Sequence, residues 1–309
     1  MQRIKYSALL SKYMIKDSFR NIGLIGRPNS SLVIDTLNQL ETFLLHEGLT
    51  VIYDEDTAQL MQKTGLQISS RALLGEVCDL VIVVGGDGTL LHAARSLARY
   101  KVPVLGVNRG RLGFLTDINP DEVISKVNSV LHGHYTTDQR FLLNLEVRSN
   151  GSRVAEALAL NDVVLHAGKS VHMLEFELYI EGQFVYRQRS DGLIVATPTG
   201  STAYALSGGG PIMHPKLDAI VLVPMHPHTL SSRPIVVDAD SEIKIRITET
   251  TLKPLVSPDG QSGISLNTGD WVYITKHPFK LKLIHPSGYD FYAACRTKLG
   301  WGNPITGDD

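Results

Sequence analysis

The run Leu80-Val81-Ile82-Val83-Val84-Gly85-Gly86-Asp87-Gly88-Thr89-Leu90 constrains the fold more than any other part of this chain. Its first five residues are apolar at every position, as in a central parallel strand covered on both faces. Three glycines around an aspartate follow, and a helix is predicted from about Leu90 to Tyr100. Glycines let a backbone approach a phosphate closely and turn its N–H groups toward it. A helix N-terminus adds partial positive charge. A carboxylate repels phosphate, so Asp87 is out of place in a loop that only binds phosphate. It is in place if it accepts a proton from an attacking hydroxyl, or helps to hold the metal that screens the phosphates. The structural alternative is that Asp87 caps the helix.

The neighbouring sequence supports the same architecture. Asn21 to Gly26, Leu49 to Tyr53 and Val102 to Val107 read as further short strands. Helical periodicity runs from Ser31 or Asp35 to about Glu47, stopped by Gly48, and again from Asp121 to Leu131. Alternating strands and helices predict an α/β domain with a Rossmann-like parallel sheet. Near Phe141 the pattern changes to short strands of period two. Asn150-Gly151 offers a type I′ hairpin turn, and Glu181-Gly182 and Asn267-Thr268-Gly269-Asp270 mark further turns. Strands are predicted at Phe141 to Arg148, His172 to Ile180, Phe184 to Gln188, Ala219 to Pro224, Ser241 to Thr248, Trp271 to Thr275 and Lys280 to Ile284, an all-β C-terminal domain. The expected organisation is an extension over 1–20, an α/β domain over 21–140 and an all-β domain over 141–285. A tail over 286–309, with a short helix between Tyr289 and Leu299, is expected to pack back on the first domain.

With 309 residues, 43% of them hydrophobic, the chain has enough apolar material for two cores. A formal net charge of −1 gives no basic field for nucleic acid, and no polybasic segment points to a membrane surface. No stretch reaches the roughly 20 apolar residues of a membrane span. Met1 to Arg20 lack an apolar core of signal-peptide length and a cleavage site, and read as a loosely docked extension. Cys78 and Cys295 are far apart and outside any C-x-x-C spacing, so neither a disulfide framework nor a zinc site is expected. The expected compartment is the cytoplasm.

Three more segments carry chemistry. Asn161-Asp162, set between apolar residues, can offer a donor–acceptor pair to a ribose or an adenine edge; an Asx turn is its structural alternative. Arg187 to Pro211 is dominated in its second half by small and hydroxylated residues. That stretch offers many backbone N–H groups and hydroxyls to a polar, nucleotide-sized ligand, and Tyr204 can stack on a base. Ser257-Pro258-Asp259-Gly260-Gln261 reads alone as a turn. The Gly85 loop lacks the Gly-Lys-Ser/Thr ending of a Walker A and the G-x-G-x-x-G spacing of a dehydrogenase. Without that glycine pattern, Asp54-Glu55-Asp56 reads as a solvated loop.

Taken in order, these segments resemble the NAD kinase family: Gly-Gly-Asp-Gly at Gly85 to Gly88, Asn161-Asp162, the run Asp191 to Tyr204, and Asp259-Gly260-Gln261. Similarity extends to Gly106 to Gly110, Leu112 to Leu115, His226 to Leu230, Ser232 to Pro234 and Thr297 to Trp301. The first motif is shared with phosphofructokinases and diacylglycerol-type lipid kinases, whereas the full set is specific. The resemblance implies transfer of a phosphoryl group from ATP to the 2′-hydroxyl of the adenosine ribose of NAD, giving NADP and ADP. It implies Asp87 as the catalytic proton acceptor, with Gly85, Gly86, Gly88 and Thr89 as the phosphate loop. Implied NAD contacts are Asp87, Gly88, His92, Asn161, Asp162, His172, Arg189, Asp191, Thr202, Ala203, Tyr204, Ala205, Leu206, Ser207 and Gln261. Position 162 is often Glu in the family, and Asp is one methylene shorter. No dedicated metal cage is visible, so Mg²⁺ or another divalent ion is expected to arrive with ATP. A homotetramer or homodimer is implied by the resemblance alone. The competing readings are a kinase of another hydroxyl, on a lipid or sugar phosphate, and a non-catalytic NAD sensor. A sensor has no need of an acid in the phosphate loop.

Overall fold

A computed structural model of the chain describes residues 19–27, 30–110, 113–168, 173–229, 231–249 and 253–301. The chain divides into two compact units, Met1–Gln139 with Leu281–Asp309, and Arg140–Lys280. Of the leading extension, only Phe19 and Arg20 are among the described residues.

The first unit alternates strands and helices: β1 (Asn21–Gly26), α1 (Ser31–His46), β2 (Thr50–Asp54), α2 (Glu55–Met61), β3 (Gln67–Ser69), α3 (Arg71–Val77), β4 (Leu80–Gly85), α4 (Asp87–Leu97), β5 (Pro103–Asn108) and α5 (Val123–Leu131). The strands pair in parallel in the order β3-β2-β1-β4-β5. Residues 282–284 of a late strand add a sixth parallel member beside β5. This is the doubly wound order in which ligands bind at the carboxyl ends of the strands, where the order reverses. Here that point lies between β1 and β4, and β4 ends at Gly85. Every residue of β4 is buried, which explains its unbroken apolar sequence. Leu24, Leu37, Leu40, Ile82, Leu105 and Val127 belong to one apolar core. A last helix, Phe291–Leu299, also belongs to this unit.

The second unit is β-rich. It holds β6 (Tyr135–Ser149, from residue 140 on), β7 (Ser152–Ala159), β8 (Asp162–His166), β9 (Leu174–Ile180), β10 (Gln183–Ser190), β11 (Gly192–Ala196), α6 (Tyr204–Ser207), β12 (Ala219–Met225), β13 (Ile235–Asp238), β14 (Ile243–Glu249), β15 (Leu255–Pro258), β16 (Ile264–Ser265) and most of β17 (Trp271–Pro286). One antiparallel sheet runs β13-β12-β11-β8-β15-β16, and a second set runs β10-β9-β14-β17. Period-two side chains from both, Val163, Leu193 and Leu222 with Phe176, Ile245 and Val272, share one core. Asn150-Gly151 and Glu181-Gly182 form hairpin turns with both residues at positive φ, as type I′ requires.

Three expectations change. Helix α4 opens at Asp87 rather than near Leu90, with Gly86 as its N-cap, so Asp87 is not the cap. The strands expected at Trp271 to Thr275 and Lys280 to Ile284 are one strand, Trp271–Pro286. Pro278 is solvent-exposed within it, where a missing N–H is tolerated. Asp54-Glu55-Asp56 is no solvated loop. Asp54 is buried, ion-paired with Arg71 at 2.9 Å, and Glu55 and Asp56 open α2.

Candidate functional site

In the first unit the site is built around Asp87. Its Oδ1 accepts hydrogen bonds from the backbone N–H groups of Leu115 (3.1 Å) and Thr116 (3.2 Å) and from the Thr116 hydroxyl (3.1 Å). Its Oδ2 accepts from the Phe114 N–H at 2.8 Å and lies 3.6 Å from the Lys298 ammonium. The carboxylate is thus held in a cradle of consecutive backbone donors. Gly113 makes the cradle possible, because a Cβ there would stand 1.9 Å from Asp87 Oδ1.

Gly85 is tightly packed, with Thr89 Oγ1 2.5 Å from where its Cβ would be. Gly86 and Gly88 differ: among the described residues, no atom beyond the local backbone lies within 4 Å of a Cβ at either, and neither has positive φ. Packing among the described residues does not require glycine at these two positions, and the open space leaves the first turn of α4 approachable. His92, one turn on, is exposed, with Nδ1 3.2 Å from Arg95 Nη2.

In the second unit a cavity of about 930 Å³ is lined by Asn161, Asp162, Asp191, Ala203, Tyr204 and Gln261, among others. Its rim rests on a second cradled carboxylate. Asp259 accepts from the backbone N–H groups of Leu160 (3.0 Å), Asn161 (2.8 Å) and Asp162 (3.2 Å). Asp162 is buried, and burial followed by the charge of Asp259 pushes its carboxyl from 3.8 up to about 7. Among the described residues the buried Asn161 Oδ1 has no hydrogen-bond partner, a group that a polar ligand would satisfy. Asp191 Oδ2 lies 2.9 Å from His226 Nδ1. His166 accepts at Nδ1 from the Gly168 N–H (3.2 Å), so Nε2 carries the proton and faces Ser257 Oγ at 3.1 Å. Burial lowers the pKa of this imidazole, which favours its neutral form.

Not every residue named from the sequence reaches this cavity. Arg189 is exposed on β10, and the Thr202 hydroxyl donates to the Thr199 carbonyl. Ala205 is buried in a small core with Val164, Ile194 and Val221. Leu206 is half-buried outside the lining, and Ser207 lines an adjacent 310 Å³ cavity with Tyr204 and His226. His172 lies outside the described residues. The small-residue run also has a packing role that its composition hid. A Cβ at Gly192 would meet the Leu165 carbonyl at 2.0 Å, and one at Gly200 the Asn161 carbonyl at 2.1 Å. Sequence reasoning did not assign His166, Asp259, Thr116 or Lys298 to a site. Asp259, Phe114 and Lys298 fall inside the quoted similarity segments, which was the available signal.

Comparison with known proteins agrees with this geometry. Residues 22–135 match the model of the ATP-NAD kinase N-terminal domain, and residues 160–286 that of the C-terminal domain. The chain is 66% identical to the NAD kinase of Acinetobacter baylyi over 92% of each chain. It superposes on the crystal structure of yeast NADH kinase complexed with NADH with a TM-score of 0.86 at 27% identity, covering 95% of this chain and 91% of that one. An NAD kinase from Archaeoglobus fulgidus in complex with ATP gives a TM-score of 0.69 at 25% identity, covering 91% and 97%. A strand-end glycine loop with a cradled aspartate, a nucleotide-sized cavity and these matches together place the chain in the NAD kinase family.

Proposed function

We propose that this chain transfers the terminal phosphoryl group of ATP to the 2′-hydroxyl of the adenosine ribose of NAD, giving NADP and ADP. The observation that carries the reading is the Asp87 cradle, which presents a fixed carboxylate beside two glycines, Gly86 and Gly88, whose Cβ positions are open among the described residues. A ribose hydroxyl is a weak nucleophile. A carboxylate within hydrogen-bond reach orients it and takes its proton as that proton becomes acidic. Oδ1 already has three donors, so Oδ2 is the oxygen that receives the hydroxyl. In the first turn of α4 the Thr89 N–H donates to the Gly86 carbonyl (3.0 Å), and the helix N-terminus at Asp87 and Gly88 faces the phosphates. The cavity of the second unit holds the dinucleotide, with Asn161 and Asp162 on its polar groups and Tyr204 against a ring.

Among the described residues, no group of three or more His, Cys, Asp or Glu side chains is arranged to hold a metal ion. The divalent ion in this reading is Mg²⁺ carried by the phosphates of ATP, where it would screen their charge. We further propose a cytoplasmic homo-oligomer, dimer or tetramer, without nucleic-acid or membrane partners; among the described residues no helix is long and apolar enough to cross a membrane.

The test is a coupled assay. Purified protein is mixed with ATP, Mg²⁺ and NAD and linked to an NADP-specific dehydrogenase and its substrate. NADPH is the expected product. ADP formed only with a lipid or sugar-phosphate acceptor would replace the reading, and NAD binding without ADP formation would make the chain a sensor.

A further inference from the structure

We infer that Lys298, on the last turn of the C-terminal helix, is a positioning residue for the transfer, fixing the face of the Asp87 carboxylate that the backbone leaves open. The inference rests on Asp87 being the group that receives the hydroxyl. The Asp87 carboxylate has room for about four hydrogen bonds, two per oxygen. Oδ1 is crowded by Leu115, Thr116 and the Thr116 hydroxyl, while among the described residues Oδ2 has one backbone donor, the Phe114 N–H. The remaining acceptor position is therefore on Oδ2, and Lys298 stands 3.6 Å from that atom. This separation lies within ion-pair range but beyond a hydrogen bond. The ammonium holds the oxygen electrostatically without occupying the position a hydroxyl needs.

Lys298 is itself held in place. Its ammonium lies 4.6 Å from the centroid of the Phe114 ring, a cation–π contact with the residue whose N–H meets Oδ2. That ring packs on Phe291 of the same helix at 6.4 Å. The helix is fixed at both ends. Asp290 accepts from the Tyr292 N–H at its start, and Gly300 closes it with φ of 68°. A lysine in the last turn also meets the negative end of the helix dipole. The C-terminal helix and the cradle thus form one assembly around a single carboxylate, all within the first unit.

The experiment compares wild type, K298M and K298R. Methionine keeps much of the stem and its contact with Phe114 but removes the charge, and arginine keeps the charge. For K298M, kcat should fall on the order of 10- to 100-fold, the scale of a misplaced reacting group. KM for NAD and ATP should stay within about twofold, the pattern of an interaction expressed only in the transition state. K298R should recover most of the loss. A kcat for K298M within about twofold of wild type overturns the inference. So does a loss expressed mainly in KM for ATP, or a K298R no better than K298M. A thermal-unfolding cycle on wild type, K298M, D87N and D87N/K298M reads the pair without turnover. The Tm change caused by K298M should be smaller when Asp87 is absent, and equal changes in both backgrounds would show that the two groups are not coupled. If wild type forms no NADP, the kinase reading fails, and this cycle still decides whether Lys298 acts on Asp87.

Discussion

Each unit carries an aspartate that caps three consecutive backbone N–H groups, and the two differ in what stands on their other side. Asp87 takes the N–H groups of 114, 115 and 116, with a hydroxyl and an ammonium added. Asp259 takes those of 160, 161 and 162 and has a buried carboxyl, Asp162, as its neighbour. The same local device serves two ends. Surrounded by donors and a cation, Asp87 is an aimed acceptor. Facing another acid, Asp259 is a tie that shapes the rim of a cavity, and the proton of Asp162 relieves the crowding of charge. In sequence the two look alike, an aspartate before a glycine in a turn.

The largest expected effect falls on the first carboxylate. D87N should lower kcat by about 10² to 10⁴, the range for loss of acid–base assistance, while calorimetry still detects NAD binding. D259N should act in the opposite sense. It should lower stability by about 1–3 kcal/mol by spoiling partly buried hydrogen bonds, measured by denaturant unfolding, and raise KM for NAD more than it lowers kcat. If D259N abolished kcat with unchanged stability, the distinction between the two aspartates would be lost. G113A comes next. Its methyl group must displace the Asp87 carboxylate, so kcat should drop on the order of 100-fold, with overpacking costing about 1–3 kcal/mol in unfolding experiments.

The parts of the site that were legible in the sequence are local. Leu80 to Val84 could only be a covered strand, and the glycines after it marked its end. The cradle was not legible, because Phe114 to Thr116 and Lys298 meet Asp87 through the fold and carry no periodic signal of their own. The small, hydroxylated second half of the run from Arg187 to Pro211 reads as serving a polar ligand, yet Gly200 within it, like Gly192 before it, is small because a neighbouring carbonyl leaves no space. Composition cannot separate a glycine required by a ligand from one required by packing. The buried Asp54 is illegible for a related reason: its partner, Arg71, lies seventeen residues along the chain.

A pH experiment sharpens the contrast further. The Asp162 carboxyl titrates at about 7 in the folded chain against 3.8 when free. Between those values the folded chain keeps a proton that the unfolded chain has released. The stability this group contributes is therefore complete below pH 3.8 and is lost as pH rises toward about 7. D162N escapes that loss, so its stability relative to wild type should improve across this window. A difference that stays constant with pH would contradict the buried acid pair. The smallest effect is expected at Tyr204, which is 47% exposed on the cavity wall. Y204A should weaken NAD binding by about 1 kcal/mol, roughly fivefold, in a titration.

The most direct measurement is a crystal structure of the wild-type chain with NAD bound. The adenosine-ribose 2′-oxygen should lie about 2.6–3.2 Å from Asp87 Oδ2, the reach of a group that takes a proton. A 2′-oxygen directed to Oδ1, or one too distant from Asp87 for even a single water to bridge, would contradict the role given to this carboxylate.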